Sequence, residues 1–254
     1  VLGRQSFCAP YHLSKPYWDG QVLIVQVVNP TAGILSGDTL RSDITVGPEA
    51  ALLVTTPSAT RIFQMDIGSA ESRQRFEVQR RGWLDVLPEP LVPHRGSSFR
   101  QVTEIQAAID AEFFYADLLL PGRIARGETW AWSRFCLELR IQIADELILR
   151  ERFDQSGAEL KALAQLAGSG EGAGFCNVVM ASPHLEKEDL WRPAVAALHG
   201  SGVWIGVSRL RGKPVSYSLK LVAPDGDVLR RTLRELRRIL SVAMPRLASE
   251  TRKM

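Results

Sequence analysis

Phe135-Cys136-Leu137-Glu138-Leu139-Arg140-Ile141-Gln142-Ile143 alternates apolar and mostly polar residues without a break. Period two puts Phe135, Leu137, Leu139, Ile141 and Ile143 on one face and Cys136, Glu138, Arg140 and Gln142 on the other, which predicts a half-buried strand. Gln21 to Val28, Ala50 to Thr55, Glu71 to Val78, Gly82 to Leu87, Phe99 to Ile109 and Glu146 to Phe153 are further strand candidates, separated by Gly, Pro, Asp and Ser. Many short strands with no alternating helices predict a mainly β architecture and weigh against an open doubly wound sheet; no strict solenoid-type sequence repeat is visible.

Three segments read as helical. From Asp227, residues Leu229, Leu233, Leu236, Leu240 and Ala243 recur at steps of three and four, with Arg230, Arg231, Arg234, Arg237 and Arg238 largely off that stripe. This predicts an amphipathic C-terminal helix over 227–244, stopped by Pro245. Glu188 to His199 predicts a shorter helix with Leu190, Ala194, Ala197 and Leu198 inward, and Ala158 to Ala167 a third, running into a flexible Gly168–Gly174 loop.

The 254 residues are 45% hydrophobic and 23% charged, ordinary globular values. A net charge of +3 does not by itself argue for nucleic-acid binding, and no apolar run is long enough for a membrane span. Cys8, Cys136 and Cys176 have no CxxC spacing, so the expected compartment is the cytoplasm. The chain starts at Val1 rather than Met, which leads us to expect a missing N-terminal piece.

Chemistry-bearing signals are few. Asn29 to Asp38 places Gly33 and Gly37 in a turn closed by Asp38, which is either structural or functional. Thr55, Thr56, Pro57, Ser58 and Thr60 end a strand in hydroxyls that cap a turn or line a polar cavity. Leu87-Pro88-Glu89-Pro90 holds Glu89 on a stiff segment. Arg123 and Glu128, with Gly122 and Gly127 about them, precede what reads as an aromatic strand with Trp130 and Trp132. His12, His94, His184 and His199 are scattered, so no stable metal site and no catalytic residue is expected.

Taken in order, Asn29-Pro30-x-x-Gly33-x-x-x-Gly37-Asp38, Thr55-Thr56-Pro57-x-Ala59-Thr60, Leu87-Pro88-Glu89-Pro90 and Gly122-Arg123-x-Ala125-x-Gly127-Glu128 resemble the UreD (UreH) family of urease accessory proteins. The resemblance implies a single domain over 1–254 lacking the family's first strand, with a β-helix-like body of many short strands and a small helical part. It implies no catalytic activity and no tightly bound cofactor. It further implies a scaffold joining apo-urease subunits to UreF and, through UreF, to the GTPase UreG, with transient Ni(II) moving along a polar passage. Carried onto this chain, Asp38, Thr55, Thr56 and Glu128 are the expected passage residues; Gly33, Gly37, Pro57, Arg123 and Gly127 are motif positions, and the C-terminal helix is the expected UreF contact. Carboxylates and hydroxyls hand on a hydrated divalent ion, whereas clustered His and Cys would hold it. Ala32 stands where the family commonly has Gly. The competing expectation is a β-helix carbohydrate hydrolase using Asp38 and Glu128, with the carboxyls facing each other across a groove.

Overall fold

A computed structural model describes residues 2–166, 170–200 and 202–249. After short β1 (His12–Leu13) and β2 (Tyr17–Asp19), the chain coils through β3 (Val22–Val28), β4 (Thr39–Val46), β5 (Ala51–Thr55), β6 (Thr60–Ile62), β7 (Ala70–Val78), β8 (Trp83–Leu87), β9 (Leu91–Pro93), β10 (Ser98–Ala107) and β11 (Glu112–Leu119). β3, β5, β8 and β11 stack in parallel, with Leu23, Leu52, Leu84 and Phe113 in one register row. β4, β7 and β10 make a second parallel wall, and Ile34, β6 and β9 a narrow third. Equivalent positions lie about 30 residues apart, the length of ordinary solenoid repeats, although side-chain chemistry varies from coil to coil.

The coil is then elaborated. β12 (Gly122–Arg123) and β13 (Glu128–Thr129) form a small hairpin, β14 (Arg134–Ile143) adds in parallel to β10, and β15 (Glu146–Gln155) closes that five-stranded sheet. Following α1 (Gly157–Leu166), the strands β16 (Gly174–Ala181), β17 (Trp204–Arg209) and β18 (Ser216–Ala223) extend the long sheet beyond β11, with α2 (Arg192–Ala196) between β16 and β17 and α3 (Gly226–Leu240) after β18. The fold is mainly β, solenoid-like, with few helices, in agreement with the sequence.

One face of the long sheet packs Ile24, Leu53, Trp83 and Phe114 against Leu229, Leu233, Leu236 and Leu240 of α3. Its other face meets the five-stranded sheet through Val54, Leu84, Phe113, Phe76, Ile105 and Ile141. A separate cluster gathers Leu40, Ile62, Phe99, Trp130, Trp132 and Phe135 near the third wall. Burial on both faces explains why Phe113-Phe114-Tyr115-Ala116 in β11 is a continuous apolar run instead of an alternation.

Several elements depart from the sequence reading. α3 ends at Leu240, four residues early, in tightening turns such as Ala243 N–H to Leu240 O (3.0 Å). At its start, Asp225 accepts from the N–H groups of Asp227 and Val228 (2.9 and 2.8 Å). Glu188 to His199 is not one helix: a 3-10 turn over Glu188–Leu190 precedes α2, which begins beside Pro193. Leu190 is 49% exposed, and the buried anchor is Trp191, whose Nε1 donates to Leu185 O (3.3 Å). Trp130 and Trp132 follow β13 in a turn, not a strand, and donate to the carbonyls of Glu171 and Gln155. Residues 167–169, the last of the expected helix and the first two of the expected loop, lie outside the described residues.

The arginine series of α3 also divides. Arg231, Arg234 and Arg238 face solvent. Arg237 is buried, forms a two-point ion pair with fully buried Asp85 of β8 (2.9 and 2.7 Å), and stacks over Phe114. Arg230 reaches Glu89 at 3.0 Å, tying the Pro-rich segment to the helix.

Candidate functional site

Inward-facing rows of the five-stranded sheet change character along the strands. Ile44, Phe76, Ile105 and Ile141 form an apolar row, but the next is Ser42, Gln74, Thr103 and Leu139, and the next Leu40, Ser72, Gln101 and Leu137. A polar seam therefore runs between two apolar clusters, where unpaired hydrogen-bonding groups would be costly. It is cross-linked: Thr103 donates to Gln74 (3.4 Å), Gln74 to Gln101 (3.5 Å), and Gln101 to Asp117 (3.2 Å). Tyr115 donates to the other oxygen of Asp117.

Tyr115 and Asp117 alternate on β11 and so point from the long sheet toward the same seam. Burial pushes the Asp117 carboxyl up to about 6, against the opposing pull of its bonds from Tyr115 and Gln101 and of the Lys220 charge. Burial, then the Asp117 charge, holds the Tyr115 hydroxyl well above its ordinary range.

The seam opens into a cavity of about 400 Å³ whose walls include Tyr11, Thr55, Thr56, Ser72, Gln74, Gln101, Tyr115 and Asp117. Thr55 donates to Leu87 O (2.6 Å), and Thr56 Oγ1 accepts from the Glu89 N–H (2.9 Å). The Thr-Thr-Pro and Leu-Pro-Glu-Pro motifs are thus two neighbouring coils laced together at the cavity rim. Pro57 and Gly33 are also in the wall. A Cβ on Gly33 would lie 2.5 Å from Arg61 O, so only glycine admits that close passage of β6.

Asp38 and Glu128 stand outside this cavity wall. Asp38 accepts from the Leu35 N–H (2.8 Å) and closes its own turn next to Gly37, which has φ +82°. Glu128 is gripped by Arg123 through contacts of 2.6 to 3.0 Å, and that bond holds its carboxyl below the usual range. Gly127, at φ +66°, ends the intervening 3-10 turn. Gly122 has φ +120°, and a Cβ there would sit 2.3 Å from Glu128 O. Gly122→Ala should therefore cost roughly 2–4 kcal/mol, read from urea unfolding; an unchanged midpoint would mean the hairpin is not pinned this way.

Asp117 and Tyr115 were absent from the sequence-based set. A carboxylate inside the apolar run Phe113 to Leu119 was the available signal, since such a charge requires partners. On the far side of Asp117, register neighbours Asn177 and Lys220 continue the polar row across β16 and β18. Among the described residues no group of three or more His, Cys, Asp and Glu side chains is arranged to hold a metal ion, and no helix is long and apolar enough to cross a membrane.

A family model described as UreD urease accessory protein matches residues 1–253. The chain is 54% identical to the urease accessory protein UreD of Opitutus terrae, over 100% of its own length and 93% of that protein. It is 30% identical to UreD of Sorangium cellulosum, over 82% of this chain and 70% of the relative. Against the urease accessory protein UreH of Helicobacter hepaticus it is 24% identical, over 63% and 64% respectively.

Proposed function

Because this chain belongs to the UreD family of urease accessory proteins, we propose that it is a non-catalytic scaffold in nickel insertion, holding apo-urease subunits on one side and UreF, with UreG beyond it, on the other. The observation that carries this reading is the polar cavity leading to a buried carboxylate in an otherwise apolar β interior. Nickel here is cargo, met by Thr55, Thr56, Gln101 and Asp117 in turn. Hydroxyls, amides and a single carboxylate give weak, exchangeable contacts suited to transit. Asp38 and Glu128 serve this passage indirectly, by fixing the turns that shape its surroundings. The solvent-facing arginines Arg231 and Arg234 of α3 are the proposed UreF contact, and the cytoplasm is the proposed compartment.

The hydrolase alternative gains nothing from the geometry. Asp38 is committed to a backbone N–H, and Glu128 to an arginine that holds its carboxyl below the usual range, the opposite of the raised-pKa acid that such a reaction needs.

The test is co-purification of this chain with the apo-urease subunits and UreF, followed by nickel content and urease activity with and without it. Joint capture and dependent activation are expected; binding to neither partner would remove the reading. Transfer should also weaken as pH falls through about 6, where Asp117 takes up a proton and stops attracting a cation. A transfer rate flat from pH 5 to 8, with the partners' own pH dependence subtracted, would exclude Asp117 from the route.

A further inference from the structure

The polar row does not stop at Asp117. Asp117, Asn177 and Lys220 are successive register partners across three antiparallel strands, and directly paired residues share a face of the sheet. From the opposing sheet comes Glu151, the partner of inward-facing Leu139 at the outer strand β15. Lys220 Nζ donates to Glu151 and to Asn177 Oδ1 (2.6 Å), and Asn177 Nδ2 donates to Glu151 (3.2 Å). Lys220 and Glu151 are part-exposed, with side chains 49% and 30% accessible, so this group sits where the interior meets solvent.

We propose that Lys220 is a tethered cation that closes this end of the polar interior, occupying the oxygens of Glu151 and Asn177 that a passing divalent cation would need. The inference rests on the passage reading above. An ammonium on a four-carbon stem is a compact point charge able to swing away without disturbing the strand that carries it. While it stays, it neutralises Glu151 and repels a second cation approaching from Asp117. When it leaves, Asp117, Asn177 and Glu151 become a continuous line of oxygen ligands from the cavity to the surface. The site then exchanges one cation for another, and Glu151 is never left without a counter-charge. Arg cannot replace Lys equivalently in flexibility, but it keeps the plugging charge.

The experiment is Ni(II) binding to the full chain alone at pH 8, by equilibrium dialysis, for the wild type, Lys220→Met, Lys220→Arg and the Lys220→Met/Glu151→Gln pair. Lys220→Met should bind at least ten-fold tighter, Lys220→Arg should match the wild type, and the double variant should fall back toward it. Unchanged affinity in a folded Lys220→Met protein, checked by circular dichroism, would overturn the proposal. Were that variant not to fold, Lys220→Gln, which keeps a polar tip, carries the same expectation and the same overturning result. No urease partner enters this measurement. An affinity shift without any role in urease activation would leave the plug standing and remove the scaffold reading; activation with no affinity shift would do the reverse.

Discussion

Arg237→Met is expected to destabilise the protein by about 3–5 kcal/mol, seen as a large drop in the urea midpoint, because it leaves the Asp85 carboxylate buried without a counter-charge. Asp85 has no accessible surface and Arg237 has 6%, so water cannot take over the lost contacts. The guanidinium supplies more than charge: it bonds both Asp85 oxygens, reaches Leu247 O at 3.3 Å and lies 5.1 Å from the Phe114 ring centre. Removing Asp85 as well, in Asp85→Leu/Arg237→Met, should recover a substantial part of the loss, since an apolar pair of similar volume avoids burying any charge. A single variant as stable as the wild type would mean that Asp85 is solvated by some other route.

Asp117→Asn should have opposite effects on stability and on function. The folded carboxyl titrates at about 6, above the 3.8 of an ordinary Asp, so folding favours the protonated form. The stability this contributes is complete below about pH 4 and is lost as pH rises through about 6. At pH 8 the ionised, buried carboxylate costs about 3 kcal/mol, from roughly 1.4 kcal/mol per pKa unit. Asparagine carries no such charge, so the variant should gain up to that amount at pH 8 and little at pH 4, by urea unfolding at the two values. Nickel delivery to urease should fall to the level without the chain. A variant that is less stable at pH 8, or that delivers nickel normally, would contradict one or the other half of this expectation.

These two residues mark the limit of what the sequence made legible. The half-buried strand at Phe135 to Ile143 and the inward stripe of α3 were readable because each has one wet and one dry face. β4 was not, because its inward row contains Ser42 beside Leu40, Ile44 and Val46, and polarity on both faces hides the alternation. β11 and β16 were obscured by the opposite cause, burial on both faces. In the candidate site, the hydroxyl run at Thr55 and Thr56 left a turn cap and a cavity lining both open, and the family resemblance singled these two residues out; both line the cavity. Asp117 is marked in the sequence only as a carboxylate inside an apolar run, its partners Tyr115 and Gln101 being fixed by the fold, and Arg237 reads as a surface charge because its partner is distant in the chain. The motifs at Asp38 and Glu128 are conspicuous in sequence for a backbone reason: both mark tight turns with glycines at positive φ.

The long sheet is assembled from two separated parts of the chain, β3 to β11 early and β16 to β18 late. During synthesis the early coils reach solution before the strands that will cover the edge of β11. At that stage Asp85 also lacks Arg237, which is 152 residues further on. A nascent chain in this condition presents an open strand edge and an apolar sheet face at once, the combination that invites pairing with the wrong neighbour. Arrival of β16 to β18 and of α3 with Arg237, and not the completion of the coils, is therefore the event that makes this fold self-sufficient. Any partner able to cover that face earlier would act as a folding chaperone for this chain.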